Sequence, residues 1–459
     1  MPVRLTDSLA TTQPLAALFS DQSLIQAMLD FEVALAAAET ACGIVPPGAA
    51  DAIAKAAQGA NLDVGALAEE TLRAGTPAIP IVKGLTELVR VKSSTAAGFV
   101  HWGATSQDVT DSALVLLLKK AEPILQADLD RLEKALRRLS ADHERTVMLG
   151  RTLLQSAPPI TFGLKAAGWL GAIHRGRKRL EQCFQETLVL QFGGACGTLA
   201  SLGERGLEVA QALAAELGLA CPESPWHAQR DRLAALVCAC GVLTGALGKM
   251  ARDISLLMQP EVGEVAEPAG AARGGSSTLP HKHNPVGCAA ALACANRVPG
   301  MVATFLSAMA QEHERGLGNW HMEWPAVAGV IQSTGLAATA MAEVAEGLTV
   351  NVARMRANIE ATRGVIFAER AMMLLAEKLG RDQAHRILEQ ASRVSVAESR
   401  RLRDVLAAMP ELAVHLSAEA LRDLETPESY LGVALELRQR AVIAAGSDPA
   451  GGKNKIKKE

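Results

Sequence analysis

The chain has 459 residues, 49% of them hydrophobic and 21% charged, with a formal net charge of −3. That length allows about three domains of roughly 150 residues, and the apolar fraction supports a large core rather than disorder. The near-neutral balance argues against the basic stripe of a nucleic-acid binder, so no nucleic-acid partner is expected.

Aromatic residues make up only 3%, while alanine and leucine dominate, which favours helix over strand and predicts an all-α fold. The eight cysteines are scattered without a CxxC pair, and are expected to be reduced, half-buried apolar residues. The N-terminus, MPVRLTDSLATTQ, lacks an apolar signal core. No uncharged apolar run reaches the ~20 residues of a membrane span. A cytoplasmic protein without a membrane partner is expected.

In chain order, the first strong helix is DQSLIQAMLDFEVALAAAETACG, with Asp21 as a possible cap and Gly43 as its stop. Leu24, Met28, Phe31 and Leu35 recur at helical spacing. Pro46 and Pro47 break the chain, and a second helical stretch follows. RAGTPAIPIVKGL, from Arg73 to Leu85, must turn. HWGATSQD leads into a long amphipathic helix from Asp111, expected to kink at Pro123. GRTLLQSAPPITFG ends it in a paired-proline turn, and helix resumes near Leu164. Leu190 to Gly203 is glycine-rich and reads as an ordered loop or a tight helix contact. Long helices are expected over Gln229–Met258, Pro285–Glu314 and Trp320–Gly347, with shorter ones after Val352. The polar, basic tail GSDPAGGKNKIKKE is expected to be disordered.

Four polar islands interrupt this alanine and leucine background. GGSSTLPHKHNPVG, from Gly274 to Gly287, concentrates hydroxyls, glycines and a lysine between two long helices. It lacks the GxxxxGK[ST] pattern of a nucleotide loop. His281 and His283 flank Lys282, but a metal would need further ligands and would face that cation, so no metal is expected. A flexible connector is the plain alternative; glycine amides and a lysine instead suit a carboxylate ligand. HWGATSQD places Thr105 and Ser106 before a helix, where ordinary N-capping would explain one hydroxyl. GRTLLQ offers Arg151, Thr152 and Gln155, or merely an arginine at a helix C-terminus. QEHERGLGNWHMEW groups His313, Arg315 and His321 with several glutamates, or is a solvated helix end. Each signal alone is weak; jointly they suggest one composite site.

GSSTLPHKHNP resembles the signature loop of the fumarase/aspartase superfamily, GSSxMPxKxNP, with Leu279 in place of the usual methionine. HWGATSQDVTDSA resembles that superfamily's first conserved block and GRTLLQSAPPITFG its second, in the expected order. LVLQFGGACGTLASLG, PWHAQRDRL, GKMARDISLLMQPEVGEV and AQEHERGLGNWHMEW resemble its lactonizing branch, which acts on a tricarboxylic diene acid in aromatic catabolism. The resemblance implies a three-domain fold with a central long-helix bundle assembled in a homotetramer, and active sites shared between subunits. Its expected bounds are an N-terminal helical domain 1–108, a central bundle 109–351 carrying loop 274–287, a C-terminal helical domain 352–446 and a tail 447–459. It implies Ser276 as the catalytic serine, and Lys282 and Asn284 as groups that steady an enolate-like aci-carboxylate. It places Thr105, Ser106, Thr152 and Gln155 in the substrate-carboxylate pocket. Ser277, His101 and Arg315 join the expected substrate-binding set, with His281 and His313 as spare cations. No cofactor is expected; the partner is a small tricarboxylate.

One departure carries chemistry. Many lyases of this superfamily read GRTHxQ, with a histidine for acid–base work; here that position is Leu153. TPAIP, Thr76 to Pro80, also replaces a histidine-containing block of adenylosuccinate lyases. A carboxylate nucleophile is already ionised at pH 7, since its pKa lies near ~4, and needs neither base to attack nor acid to leave. Amine leaving groups need a proton donor. Leu153 therefore favours intramolecular lactone closure over an adenylosuccinate-type lyase, and an intact Ser276, Lys282 and Asn284 argue against an idle scaffold.

Overall fold

The structure, a computed structural model, describes residues 5–268, 274–275, 278–279, 282–412 and 415–446. Ser276, Ser277 and His281, and the tail 447–459, lie outside the described residues. The chain forms two compact units, each drawn from three segments: Met1–Asp130, Gly176–Gly248 and Ala290–Ala340 in the first, and Arg131–Arg175, Lys249–Ala289 and Met341–Glu459 in the second.

The fold is mostly helical, as composition predicts. Its longest helices are Asp21–Ala41, Ser106–Asp142, Phe162–Thr187, Asp231–Leu257, Val286–Ser307 and Asn319–Gly347. Ser20, not Asp21, caps the first of these: its Oγ accepts the Ser23 amide at 3.3 Å. The Ser106–Asp142 helix starts five residues earlier than Asp111 and carries Pro123 inside it. The Val286–Ser307 helix stops short of the expected Glu314.

The first unit buries Phe31, Met28, Leu35, Leu118, Leu125, Leu233, Leu243, Val330 and Ile331. Gly335 lets Leu15 approach: a Cβ there would meet Leu15 Cδ1 at 2.2 Å. The second unit centres on Val147, Leu149, Phe367, Leu375, Leu388, Leu402 and Leu406.

Two short antiparallel sheets depart from a purely helical fold. One is the hairpin Val147–Thr152 with Gln155–Thr161; the other pairs Val265–Ala266 with Thr349–Val350. The hairpin replaces the expected proline turn. Its run Val147–Leu149 is buried and apolar, and an irregularity between Leu149 and Gly150 admits the proline pair on the other strand. Leu153 and Leu154 form its two-residue tip at φ of 50° and 64°. Such a tip normally takes Asn-Gly, so two leucines there are strained. They are also 97% and 78% exposed.

Three helices, Asp231–Leu257, Val286–Ser307 and Asn319–Gly347, are long and apolar enough for a membrane span by length and composition. The apolar windows of the first and third are 61% and 67% buried inside the protein, and that of Val286–Ser307 only 28%.

Candidate active site

In the first unit the site grows from the start of the Ser106–Asp142 helix. The Asp108 carboxylate reaches back to the Thr105 amide at 3.0 Å, a capping interaction one turn into the helix. Asp108 is fully buried, and it does more than cap. It accepts the amides of Gly193 at 3.0 Å and Gly194 at 2.9 Å and pairs with His227 Nε2 at 2.7 Å. One carboxylate thus fixes the helix start, the glycine-rich loop and the segment after Pro225. Glycine is required at Gly193, where a Cβ would lie 2.7 Å from Pro225 and 2.9 Å from His227.

Because Asp108 takes over the capping, the Thr105 hydroxyl is left to accept from Arg315 Nη1 at 3.2 Å. Arg315 Nη2 donates to the Ala195 carbonyl at 3.0 Å. The stretch around Arg315 is therefore not a solvated helix end: it joins the Thr105 island to the glycine loop. Ser106 follows at the helix start, half-buried. His101 sits in the same connection at φ 60°, with its Nδ1 2.6 Å from Glu32 Oε1. Burial alone would lower the His101 pKa, but Glu32, helped by Asp108, more than offsets this and raises it. The structure thus brings His101, Thr105, Ser106 and Arg315 into one neighbourhood; His313 is exposed.

Beneath them lies a buried ionic node. Arg230 donates from Nη1 and Nη2 to Asp111 at 2.7 and 3.1 Å, and from Nη2 to Glu323 at 2.6 Å. Asp111 also accepts from Gln107, Gln191 and Trp320, and Glu323 from Gln311. Burial would raise the Asp111 pKa, yet the Arg230 guanidinium outweighs it and holds the group below its ordinary value. For Glu323, burial wins over Arg230 and the pKa rises.

In the second unit, Thr152 and Gln155 face each other across the hairpin tip, both exposed. Arg151 does not end a helix; it makes a bidentate pair with buried Glu264 at 2.9 and 2.7 Å, and Asn358 donates to the same carboxylate at 2.7 Å. The pair locks the strand that carries Thr152.

The described part of the signature loop is closed at its base. Asn284 N donates to the Gly274 carbonyl at 2.8 Å, and Lys282 N donates to Leu279 O at 3.0 Å. Gly274 has φ 68°, and a Cβ there would lie 2.6 Å from Asn284 O. Glu267 accepts the amides of Gly287 at 3.0 Å and Cys288 at 2.8 Å, capping the Val286–Ser307 helix. The amides of Lys282, Asn284, Gly287 and Cys288 are thus already committed within the protein. Lys282 is exposed and Asn284 half-buried. Among the described residues no cluster of three His, Cys, Asp or Glu side chains is placed to hold a metal ion.

Sequence reasoning missed Glu32, Asp108, Asp111, His227, Arg230, Glu264 and Glu267; it grouped Glu323 with Arg315 in one polar island but did not pair it with Arg230. The available signal was acid inside apolar helical runs: Glu32 within MLDFEVALAAA, and Asp108 and Asp111 three apart before ALVLLL. An acid on a face that must be buried requires a partner.

A lyase family model matches residues 8–300, and a model described as the adenylosuccinate lyase C-terminus matches 364–441. The chain is 48% identical to a 3-carboxy-cis,cis-muconate cycloisomerase of Bradyrhizobium diazoefficiens, over 93% of this chain and 95% of that one. It is 47% identical to one of Pseudomonas aeruginosa, over 97% and 98% of the two chains. The crystal structure of the 3-carboxy-cis,cis-muconate lactonizing enzyme from Pseudomonas putida superposes with a TM-score of 0.91 at 46% identity, covering 96% of this chain and 99% of that one. The chain belongs to the lyase family of the fumarase/aspartase superfamily, alongside the 3-carboxy-cis,cis-muconate cycloisomerases.

Proposed function

We propose that the protein is a 3-carboxy-cis,cis-muconate cycloisomerase, interconverting that acid and 4-carboxymuconolactone in aromatic catabolism. The observation that carries the reading is near-identical length and 48% identity to an enzyme named for this reaction. Leu153 supports it independently, since a carboxylate that adds to a double bond needs no histidine at the hairpin tip.

In the lactonizing direction a substrate carboxylate oxygen forms a C–O bond to the alkene. The electron pair moves toward the neighbouring carboxyl group, giving an aci-carboxylate, and a proton is then delivered to carbon. Lys282 and Asn284 stabilise the developing charge, and Ser276 delivers the proton. Thr105, Ser106, Thr152, Gln155, Ser277, His101 and Arg315 hold the three carboxylates. Arg315, already bridging Thr105 and Ala195, suits a planar carboxylate.

The active form is a homotetramer in the cytoplasm, with each site drawn from several subunits. The exposed Leu153 and Leu154 and the sparsely buried Val286–Ser307 helix support this, because apolar surface of that kind is normally covered. The test is to mix the protein with 3-carboxy-cis,cis-muconate and follow loss of the diene absorbance. Rapid decay in wild type and at least a ~100-fold lower rate in Lys282→Ala are expected, in line with loss of one charge-stabilising group. Inertness toward the diene acid, with fumarate released from a succinyl adduct, would overturn the proposal.

A further inference from the structure

The Asp21–Ala41 helix carries two acids that the reaction above does not use. Glu32 and Glu39 lie seven residues apart on one face of it, with 1% and 0% of their surface exposed. Glu32 Oε1 bonds His101 Nδ1 at 2.6 Å, while Glu32 Oε2 and both Glu39 oxygens are buried without a hydrogen-bond partner in the protein. A buried carboxylate is retained at such cost only where it serves something. His101 is also strained, with a non-glycine φ of 60°. Its Nδ1 is committed to Glu32, and among the described residues nothing bonds its Nε2.

We propose that Glu32 is a positioning residue for the cycloisomerase reaction: it keeps His101 in the imidazolium form, so that the ring offers its Nε2 N–H to a carboxylate of the substrate. This deepens the function proposed above and rests on it for the identity of the substrate. A dyad in which an acid orients and charges an imidazole through Nδ1 is a general device, and the upward displacement of the His101 pKa accords with it. Among the described residues the charged groups that act on the ring are Glu32 on the Asp21–Ala41 helix and Asp108 at the start of the next long helix; Glu39 couples to Glu32, and Arg315 bonds Thr105. Two of the acids favour the cation directly. Glu39, with its pKa raised by burial and by Glu32 to about 8, is mostly neutral near pH 7.

The test uses the full-length protein in Glu32→Gln, Glu32→Asp and Glu39→Gln forms. One readout is kcat/KM for 3-carboxy-cis,cis-muconate against pH. Activity that needs the imidazolium is lost as pH rises through the His101 pKa. Glu32→Gln should move that alkaline limb down by about one unit or more and lower kcat/KM ~10-fold at pH 7.5, mainly through KM. Glu32→Asp should recover part of the loss, and Glu39→Gln should leave the limb tied to His101. The second readout, independent of turnover, is the titration of the His101 ring by NMR on histidine-labelled protein, assigned with His101→Gln. A downward shift in Glu32→Gln supports the control of the His101 charge by Glu32 even if wild type proves inert to the diene acid, an outcome that would instead refute the proposed function and with it the role of the pair in that reaction. A folded Glu32→Gln protein with both the limb and the His101 titration unchanged would overturn the inference. Should that variant not fold, Glu32→Asp carries the same reading with a smaller displacement.

Discussion

Replacing Arg230 by Met should destabilise the protein by about 3–5 kcal/mol near pH 7.5, the range for removing one member of a buried ionic group. Arg230 is 2% exposed and its two partners 1% each. The guanidinium makes a bidentate contact to Asp111 and a 2.6 Å contact to Glu323, and lies 4.6 Å from the Trp226 ring. Met fills similar space but leaves two carboxylates facing each other without a cation. Glu323 would retain only Gln311, and Asp111 only amide and indole donors.

The pH dependence follows from the sign of each shift. In wild type the depressed Asp111 pKa contributes stability that is present above its unfolded value and is lost as pH falls through the folded one. Without Arg230 both acids would be raised. Each would then favour the folded state at low pH and oppose it as pH climbs through its folded value. The deficit should therefore shrink between pH 7.5 and 5. Urea or thermal unfolding followed by circular dichroism at fixed protein concentration measures it. The triple variant Asp111→Asn, Arg230→Met, Glu323→Gln removes the charges together and should be less destabilised than Arg230→Met alone. A single variant within 1 kcal/mol of wild type at pH 7.5, or a deficit independent of pH, would refute the reasoning.

Glu39, raised to about 8, adds stability below its unfolded pKa and loses it as pH rises to that value. Glu39→Gln should accordingly match wild type near pH 4 and exceed it increasingly up to about pH 8, at up to roughly 1.4 kcal/mol per pH unit, with the difference levelling off above that, by urea unfolding across that range. Leu153→His should leave kcat for the diene acid no higher than in wild type, by steady-state kinetics; a large gain would mean that the nucleophile or leaving group does need a proton carrier. Gly274→Ala, whose Cβ would fall 2.6 Å from Asn284 O at a φ of 68°, should keep the fold by circular dichroism but cut kcat at least ~10-fold, as misplacement by a fraction of an ångström does at a reacting site.

Much of the helical frame was readable because periodic leucines and alanines declare it: the Asp231–Leu257 and Asn319–Gly347 helices lie within a residue or two of their expected ends. The hairpin was hidden for a physical reason. Its first strand is apolar without alternation, its second contains Pro158 and Pro159, and its tip has leucines where a turn signal belongs. The polar islands were also legible, and the structure joins two of them through Arg315 and Thr105. What supports them was not. Asp108 meets His227 across 119 residues of chain, Arg230 meets Glu323 across 93, and Glu32 meets His101 across 69. No local pattern announces such pairs. Only the presence of an acid on an apolar face hints that a distant partner exists.

The seat of Glu267 limits what a negatively charged substrate can borrow from the backbone. A helix start is ordinarily an attractive place for an anion, because its dipole and loose amides both welcome one. At Gly287 and Cys288 that vacancy is already taken by the protein's own side chain. Lys282, exposed to solvent, is a point charge that can attract an anion near the loop. Such attraction fades as the Debye length contracts, so KM should climb steeply between dilute buffer and half-molar sodium chloride while kcat changes little.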